Sequence, residues 1–363
     1  MDVAELLIQT KERGASDLHL SAGALPLMRL HGQLQPIEDR SLTRDAVHKM
    51  IYEILNDDQR RIFEEHRDLD FAIEVGEFAR FRVNVFNQRN GEAAVFRVIP
   101  TQIRSFQELG LPEVMQTLAL RENGLVLVTG PTGSGKSTTL AAMIDLVNST
   151  QKKHILTLED PIEFVHRSKG SLVNQREIGL HTKSFASALR AALREDPDVI
   201  LVGEMRDLET ISLALTAAET GHLVFATLHT KSAPKTMDRI IDAFPPAQQQ
   251  QVRVQLAEAL QGVLSQVLFP TKDKKGRVAA FEIMVATVAV RNLIREGKTH
   301  QMPSAIQTGT QVGMQSLEQA LRNLVMQGRI DRALAEGFLQ SSSATSAGGL
   351  GLAPAAAAVA GGR

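Results

Sequence analysis

The feature that most constrains this sequence is a glycine-rich segment, Gly130–Ser137, which reads GPTGSGKS. An apolar run, Leu125–Val128, precedes it, and a helix-forming run, Thr138–Val147, follows it. This order of strand, glycine-rich turn and helix is the Walker A arrangement, in which glycines let backbone N–H groups turn toward phosphates without Cβ clashes. The helix N-terminus adds partial positive charge at the same place. The motif therefore predicts a nucleotide-phosphate site inside an α/β domain.

The residue types in this loop also predict particular contacts. Lys136 is placed to reach the β- and γ-phosphates as a point charge, and Ser137 can offer its hydroxyl to Mg²⁺. We therefore predict ATP and Mg²⁺ as the ligands. The predicted nucleotide contacts from the loop are Gly130, Pro131, Thr132, Gly133, Ser134, Gly135, Lys136, Ser137 and Thr138.

The sequence predicts two domains and a tail. Residues 113–340 alternate apolar strand candidates with helical stretches, which is typical of a parallel sheet flanked by helices. The stretch from about Val288 to Gln340 is predicted to be mostly helical. Residues 341–363 are rich in Ser, Ala and Gly and are predicted to be disordered. The predicted strands are Leu125–Thr129, His154–Leu158, Val199–Val202 and Leu223–Thr227.

Residues 1–99 are predicted to form a smaller α+β domain. An amphipathic helix is expected over residues 3–12, and the segment 45–65 is predicted to be helical. Residues 100–112 contain two prolines and a glycine and are predicted to be an interdomain linker. Alternating apolar and polar side chains predict strands over residues 17–20, 27–30, 71–75, 79–86 and 93–99.

Composition excludes some classes of protein. The 40 basic and 41 acidic residues leave a net charge of -1, which lacks the basic footprint of a dedicated nucleic-acid binder. The absence of cysteine excludes disulfides and thiolate zinc sites. No signal-peptide pattern is found, and no apolar run approaches the roughly 20 residues that span a bilayer. We therefore expect a cytoplasmic protein that meets a membrane only through a partner.

Acidic residues follow two of the predicted strands. Glu204 ends the apolar run that starts at Asp198, in the Walker B position, where a carboxylate can hold Mg²⁺ through water. Glu159, Asp160 and Glu163 follow the strand over residues 154–158. Ligands of α/β folds bind at the carboxyl ends of strands, and an attacking water needs a positioned acceptor. The residues alone leave the choice among these three acids open.

Two histidines flank the strand over residues 223–227. His229 lies at its carboxyl end, on the edge that carries the glycine-rich loop, where an imidazole could donate a hydrogen bond to the γ-phosphate. His222 lies at the far end, and its position alone favours a structural hydrogen bond.

Together these motifs resemble the secretion-ATPase superfamily of pilus and type II/IV secretion motors. That family carries a Walker A motif, an Asp box, a Walker B motif ending in Gly-Glu, and a His box, in that order. Gly203 stands where the Walker B strand usually ends in Asp. The four motifs lie at about 130–137, 155–164, 198–206 and 216–230, and Gly14–Leu20 and Ala289–Glu296 are similar to segments of the group that retracts type IV pili.

The resemblance implies a hexameric ring in which a PAS-like N-terminal domain joins a RecA-like ATPase domain, with nucleotide between the two. It implies that Glu163 is the catalytic glutamate and Glu204 the Walker B acid, and that Ser137, Glu204 and Glu159 surround Mg²⁺. His222 and His229 correspond to the His-box pair. Three arginines of the N-terminal strands correspond to residues that swing onto the phosphates: Arg80, Arg82 and Arg97.

The resemblance also implies partners and leaves rivals open. We expect a motor at the pilus base, peripheral to the inner membrane, that acts on an inner-membrane platform protein, with a second retraction ATPase as a further possible partner. An accessory pilus motor stays open, as does a pilus-assembly or type II secretion ATPase, although those carry long N-terminal extensions and a four-cysteine motif. An aromatic content of 4% argues against a nucleic-acid translocase. The predicted catalytic set argues against a scaffold that binds ATP without turnover.

Overall fold

The computed structural model describes residues 2–30, 32–76, 79–99 and 102–347. Pro100, where the predicted linker begins, lies outside these residues, as does the part of the predicted disordered tail from residue 348 onward. The described residues form two sheets, one on each side of residues 100–112.

The N-terminal part of the chain is built on an antiparallel sheet. Among the described residues, six strands take the order β3-β2-β1-β6-β5-β4, so that β1 lies against β6 in the middle of the sheet. The long β5 alternates buried and half-buried residues, which places Phe81, Val83 and Val85 in the core. The elements are α1 (Val3–Glu12), β1 (Asp17–Ser21), β2 (Leu27–Leu30), β3 (Gln33–Pro36), α2 (Arg44–Ile54), α3 (Asp57–His66), β4 (Asp68–Val75), β5 (Ala79–Gln88) and β6 (Gly91–Ile99).

The segment predicted to be helical, residues 45–65, is helical but divided into two helices, α2 and α3. Leu55 ends α2 in extended backbone, and Asn56 caps α3, where its side chain accepts a hydrogen bond from the Gln59 backbone N–H. The Gln59 side chain accepts in return from the Asn56 N–H, which completes a capping box. An asparagine three residues before a glutamine is the signal that could have divided the helix.

The second sheet forms the core of the larger domain. Its order among the described residues is β13-β12-β7-β11-β10-β8-β9, with all neighbouring pairs parallel except β12 and β13. This confirms the predicted α/β class with a parallel sheet. The elements are α4 (Phe106–Leu109), α5 (Glu113–Ala119), β7 (Gly124–Thr129), α6 (Lys136–Thr150), β8 (His154–Glu159), β9 (Leu172–Glu177), α7 (Phe185–Ala192), β10 (Val199–Val202), α8 (Leu208–Glu219), β11 (Leu223–Leu228), α9 (Ala233–Asp242), α10 (Pro246–Ala259), β12 (Leu260–Pro270) and β13 (Arg277–Val285).

The four predicted strands of this domain correspond to β7, β8, β10 and β11, which are buried along nearly their whole length. Such continuous apolar runs are typical of strands covered on both faces. Three strands of this domain were missed, namely β9, β12 and β13. β9 is polar because it lies at the edge of the sheet, and β12 follows directly from α10 without a turn.

The C-terminal part is mostly helical, as predicted. It contains α11 (Val288–Arg295), α12 (Met302–Thr308), α13 (Leu317–Met326) and α14 (Arg332–Ala347), with short 3₁₀ turns at Thr299–Gln301 and Thr310–Val312. Since α14 reaches Ala347, it extends past the predicted start of the tail at residue 341. Within the described ranges, no helix has the length and apolar character needed to cross a bilayer.

Candidate active site

The carboxyl ends of β7, β8, β10 and β11 meet at one edge of the sheet, beside the N-terminal domain. A cleft of about 540 Å³ lies there. Residues of the glycine-rich loop, of the segments after β8, β10 and β11, and of the N-terminal strands line this one cleft. They include Thr132, Lys136, Ser137, Glu159, Glu163, Glu204, Arg206, His229, Arg82 and Arg97.

The glycine-rich loop is formed by close backbone packing. Gly130 has φ +141°, and a Cβ there would lie 2.3 Å from the Gln266 carbonyl oxygen. Gly135 has φ +88°, and a Cβ there would lie 2.9 Å from the Gln266 side chain. The Gly130 contact is with backbone and excludes any larger residue, whereas at Gly135 the neighbour is a side-chain amide and the positive φ is what favours glycine. The cradle is therefore shaped to bring backbone N–H groups against phosphate oxygens.

Gln266 supports the loop from below and was missed in the sequence. It is 2% exposed on β12, its amide donates to the Ser134 carbonyl at 2.7 Å, and its oxygen accepts from the Thr139 hydroxyl at 2.8 Å. These bonds tie the loop to the first turn of α6. A glutamine inside the apolar run over residues 260–270 is the signal that could have identified it.

Lys136 opens α6 and points back into the loop. Its ammonium group donates to the carbonyls of Gly130 at 3.0 Å and Pro131 at 3.3 Å. Burial lowers the pKa of Lys136, an effect opposed by the charges of Glu204 and Glu163. Lysine, loop and two carboxylates therefore share one electrostatic site.

Glu204 follows β10 and is held from both sides. One carboxylate oxygen lies 2.9 Å from Nε2 of His229, and the other lies 2.7 Å from the Arg206 guanidinium. Burial acts to raise the pKa of Glu204, but the hydrogen bond from Arg206 and the charges of His229, Arg206 and Lys136 outweigh it and lower the pKa. The carboxylate is therefore ionised at neutral pH, as a metal ligand or water acceptor must be.

Gly203, where the family pattern usually has an acid, has a packing explanation. Its N–H donates to the Leu158 carbonyl at 2.8 Å, and a Cβ there would lie 3.0 Å from that same oxygen. The Thr227 hydroxyl also donates to the Gly203 carbonyl. The backbones of β8, β10 and β11 therefore approach closely here and leave little room for a side chain at position 203. The acidic residue of the motif is instead the next one, Glu204.

The segment that carries Glu163 is held by a cradle of polar side chains from β9. The Ile162 N–H donates to the Glu177 carboxylate at 3.0 Å. Gln175 donates to the Phe164 carbonyl at 2.9 Å. The backbone on both sides of Glu163 is thereby fixed, which positions the half-buried Glu163 side chain at the cleft.

Glu159 lines the cleft, but its carboxylate is occupied inside the domain. It accepts from the Thr157 hydroxyl at 2.7 Å and from the Gln175 amide at 3.1 Å. Burial raises the pKa of Glu159 to about 7, although these hydrogen bonds act in the opposite direction. The group is therefore better suited to holding the Glu163 segment than to binding Mg²⁺, and its predicted metal role stays a prediction. Within the described ranges, no group of three or more His, Cys, Asp and Glu side chains could hold a metal ion.

Arg82 and Arg97 reach the cleft from neighbouring strands, where β5 pairs with β6 and the two residues lie opposite each other. Each is held by a carboxylate of its own domain: Arg82 by Asp70, and Arg97 by Asp17 at 2.9 Å. The hydrogen bond from Arg82 to Asp70 and the charges of Glu163 and Asp160 raise the pKa of Arg82, although burial opposes this. Both guanidinium groups are therefore available as oriented positive charges facing the phosphate loop.

Two predicted nucleotide contacts lie elsewhere. Arg80 is on the same strand as Arg82 but does not line the cleft, because it bridges the two domains through Ile162 and Glu177. His222 lies before β11, at the opposite end of the strand from the loop, and its Nδ1 is 2.9 Å from the Ala217 carbonyl. Neither residue lines the cleft, and their predicted nucleotide contacts stay predictions. His222 has the structural hydrogen bond that its position alone favoured.

The glycine-rich loop between β7 and α6 lies in one cleft with Glu204, the carboxylate that follows β10. This combination defines a P-loop ATPase. Consistent with this, the family described as Type II/IV secretion system protein matches residues 2–336. The chain belongs to this family.

Individual relatives give a finer comparison. The type IV pilus retraction ATPase PilT of Pseudomonas aeruginosa is 59% identical over 332 residues, which cover 92% of this chain and 96% of that protein. The type IV pilus ATPase PilU of the same organism is 42% identical over 330 residues, which cover 91% of this chain and 86% of that protein. A crystal structure of the pilus retraction motor PilT with bound ADP superimposes with a TM-score of 0.86 at 50% identity, covering 92% of this chain and 96% of that one.

Proposed function

We propose that this protein is a hexameric motor that hydrolyses ATP to drive retraction of type IV pili, and so twitching motility. The observation that carries the proposal is the single cleft in which the phosphate loop, Glu163 and Glu204 face two arginines of the other domain. The identity to PilT over nearly the whole of both chains supports the choice of pilus retraction.

The chemistry follows from the positions of the side chains. The loop and Lys136 hold the phosphates, and Glu163 orients the attacking water and accepts its proton. Arg82 and Arg97 stabilise negative charge on the transferring phosphoryl group. His229, bound to Glu204, senses whether the γ-phosphate is present. Because the arginines belong to the N-terminal domain, ATP binding draws that domain onto the ATPase domain, and hydrolysis releases it.

The residues at the cleft fit Mg²⁺ held between protein and nucleotide. The Ser137 hydroxyl would bind it directly, and the ionised Glu204 would hold it through water. When bound, Mg²⁺ supplies charge neutralisation on the phosphates.

The proposed assembly is a homo-hexamer in the cytoplasm, peripheral to the inner membrane at the pilus base. Domain movement would be transmitted to an inner-membrane platform protein, with a second retraction ATPase as a possible companion and no nucleic acid involved. An accessory role is the second candidate, and the lower identity to PilU argues against it.

Two measurements on the purified protein test the proposal. Phosphate release should require Mg²⁺ and fall strongly in Glu163→Gln, whereas Arg61→Gln, at an exposed site on α3, should leave it unchanged. Solution scattering should show different domain angles for the nucleotide-free, ATP-analogue and ADP forms. Equal turnover in wild type and Glu163→Gln, or one domain angle in all three forms, would refute the scheme.

A further inference from the structure

Arg80 makes a three-way contact between the domains. Its Nε donates to the Ile162 carbonyl at 3.1 Å, one terminal nitrogen lies 3.3 Å from the Glu177 carboxylate, and the other lies 2.6 Å from Glu74 in its own domain. The Arg80 side chain is only 13% exposed, and that of Glu177 only 4%. A guanidinium suits this geometry, because its rigid fork can serve three acceptors at once.

The contact falls on the residue next to Glu163. Glu177, in the ATPase domain, accepts a hydrogen bond from the Ile162 N–H. Arg80, in the N-terminal domain, donates a hydrogen bond to the Ile162 carbonyl. One peptide unit on each side of Ile162 is therefore fixed, and one of the two fixing groups travels with the N-terminal domain. Any displacement of β5 relative to β9 must break the Arg80 contacts or move the backbone that carries Glu163.

We propose that Arg80 and Glu177 form a positioning clamp that makes the placement of the Glu163 carboxylate depend on the position of the N-terminal domain. Arg80 does not line the cleft in this arrangement; it acts through Glu163. The inference rests on the proposed role of Glu163 and adds a means of confining hydrolysis to one domain angle.

The clamp is tested by steady-state kinetics of the full-length protein. Arg80→Gln should lower kcat by roughly ten- to a hundredfold, because small misplacements of a catalytic group are costly, while the Kd for an ATP analogue stays the same. Arg80→Lys should recover only part of the lost kcat, since one ammonium group cannot reach both the Ile162 carbonyl and the Glu177 carboxylate. Arg61→Gln removes an exposed arginine of the same domain and is the matched control.

A double-mutant cycle shows whether Arg80 acts through Glu163. If it does, Arg80→Gln should reduce single-turnover hydrolysis no further in a Glu163→Gln background. Equal fold losses in the two backgrounds would overturn the clamp, as would a loss in Arg61→Gln equal to that in Arg80→Gln. If Glu163→Gln alone is fully active, the catalytic assignment fails, which is a separate result.

Hydrogen exchange supplies a readout that does not depend on residual activity. The Ile162 amide is bonded to the buried Glu177 carboxylate and the His166 amide to the Gln175 side chain, so a peptide covering residues 160–166 should exchange slowly in the wild type. Arg80→Gln should speed exchange in this peptide and leave the phosphate loop unchanged. Unchanged exchange over residues 160–166 would show that Arg80 does not hold the segment.

Discussion

Replacing Glu159 by Gln should stabilise the protein at alkaline pH. Burial raises the pKa of this carboxyl from its ordinary value of 4.5 to about 7. Each tenfold change in proton affinity is worth about 1.4 kcal/mol, so ionising Glu159 in the folded state costs about 3 kcal/mol. Because the folded protein holds the proton more tightly than the unfolded chain, the favourable contribution of neutral Glu159 is complete below pH 4.5 and is lost as the pH rises through about 7.

Glutamine imitates the neutral carboxyl and keeps an oxygen for the Thr157 hydroxyl and the Gln175 amide. Denaturant unfolding at pH 5 and pH 8.5 should therefore show a gain in the free energy of unfolding for Glu159→Gln that is larger at pH 8.5 by about 2 kcal/mol. Arg61→Gln, at an exposed site on α3 far from Glu159, should show no comparable pH dependence. The same difference between Glu159→Gln and wild type at both pH values would refute the reasoning.

Three further variants probe the cleft. Lys136→Ala should weaken ATP binding at least roughly tenfold in a titration, because it removes a charge from the phosphates, and unchanged affinity would contradict the loop geometry. Gly130→Ala should lower the free energy of unfolding by about 2 kcal/mol or more, since its Cβ would overlap the Gln266 carbonyl; a wild-type melting temperature would disprove this. Arg82→Gln should reduce kcat by roughly a hundredfold with little change in ATP affinity, and a loss confined to KM would assign it to ground-state binding instead.

The buried part of the fold could be predicted because its sequence signal is local. β7 and β11 are continuous apolar runs, and the glycine-rich loop is recognisable from residues within one turn of chain. β9 could not be found in this way, because an edge strand that presents Asn174, Gln175 and Arg176 has the composition of a loop.

Site residues could be predicted from the sequence where polar side chains directly follow buried strands. Residues at the contact between the two domains could not be predicted in this way. Glu204 and His229 follow buried strands, so the edge of the sheet brings them together. Arg80 and Arg82 are both arginines and lie two positions apart on the same face of β5. Arg80 contacts the ATPase domain and Arg82 lines the cleft, and this difference arises from Glu177, which lies 97 residues from Arg80 in the sequence. No local pattern separates a clamp from a phosphate ligand.

The most direct test of the account is a count of surface pili, together with twitching motility, in a piliated bacterium that carries this gene. A deletion strain would be complemented with wild type, Lys136→Ala or Glu163→Gln. The account predicts many pili and no motility in the deletion and in both variant strains, with wild type restoring both. Cells without pili would identify an assembly motor, and normal pili with normal motility would contradict a role in retraction.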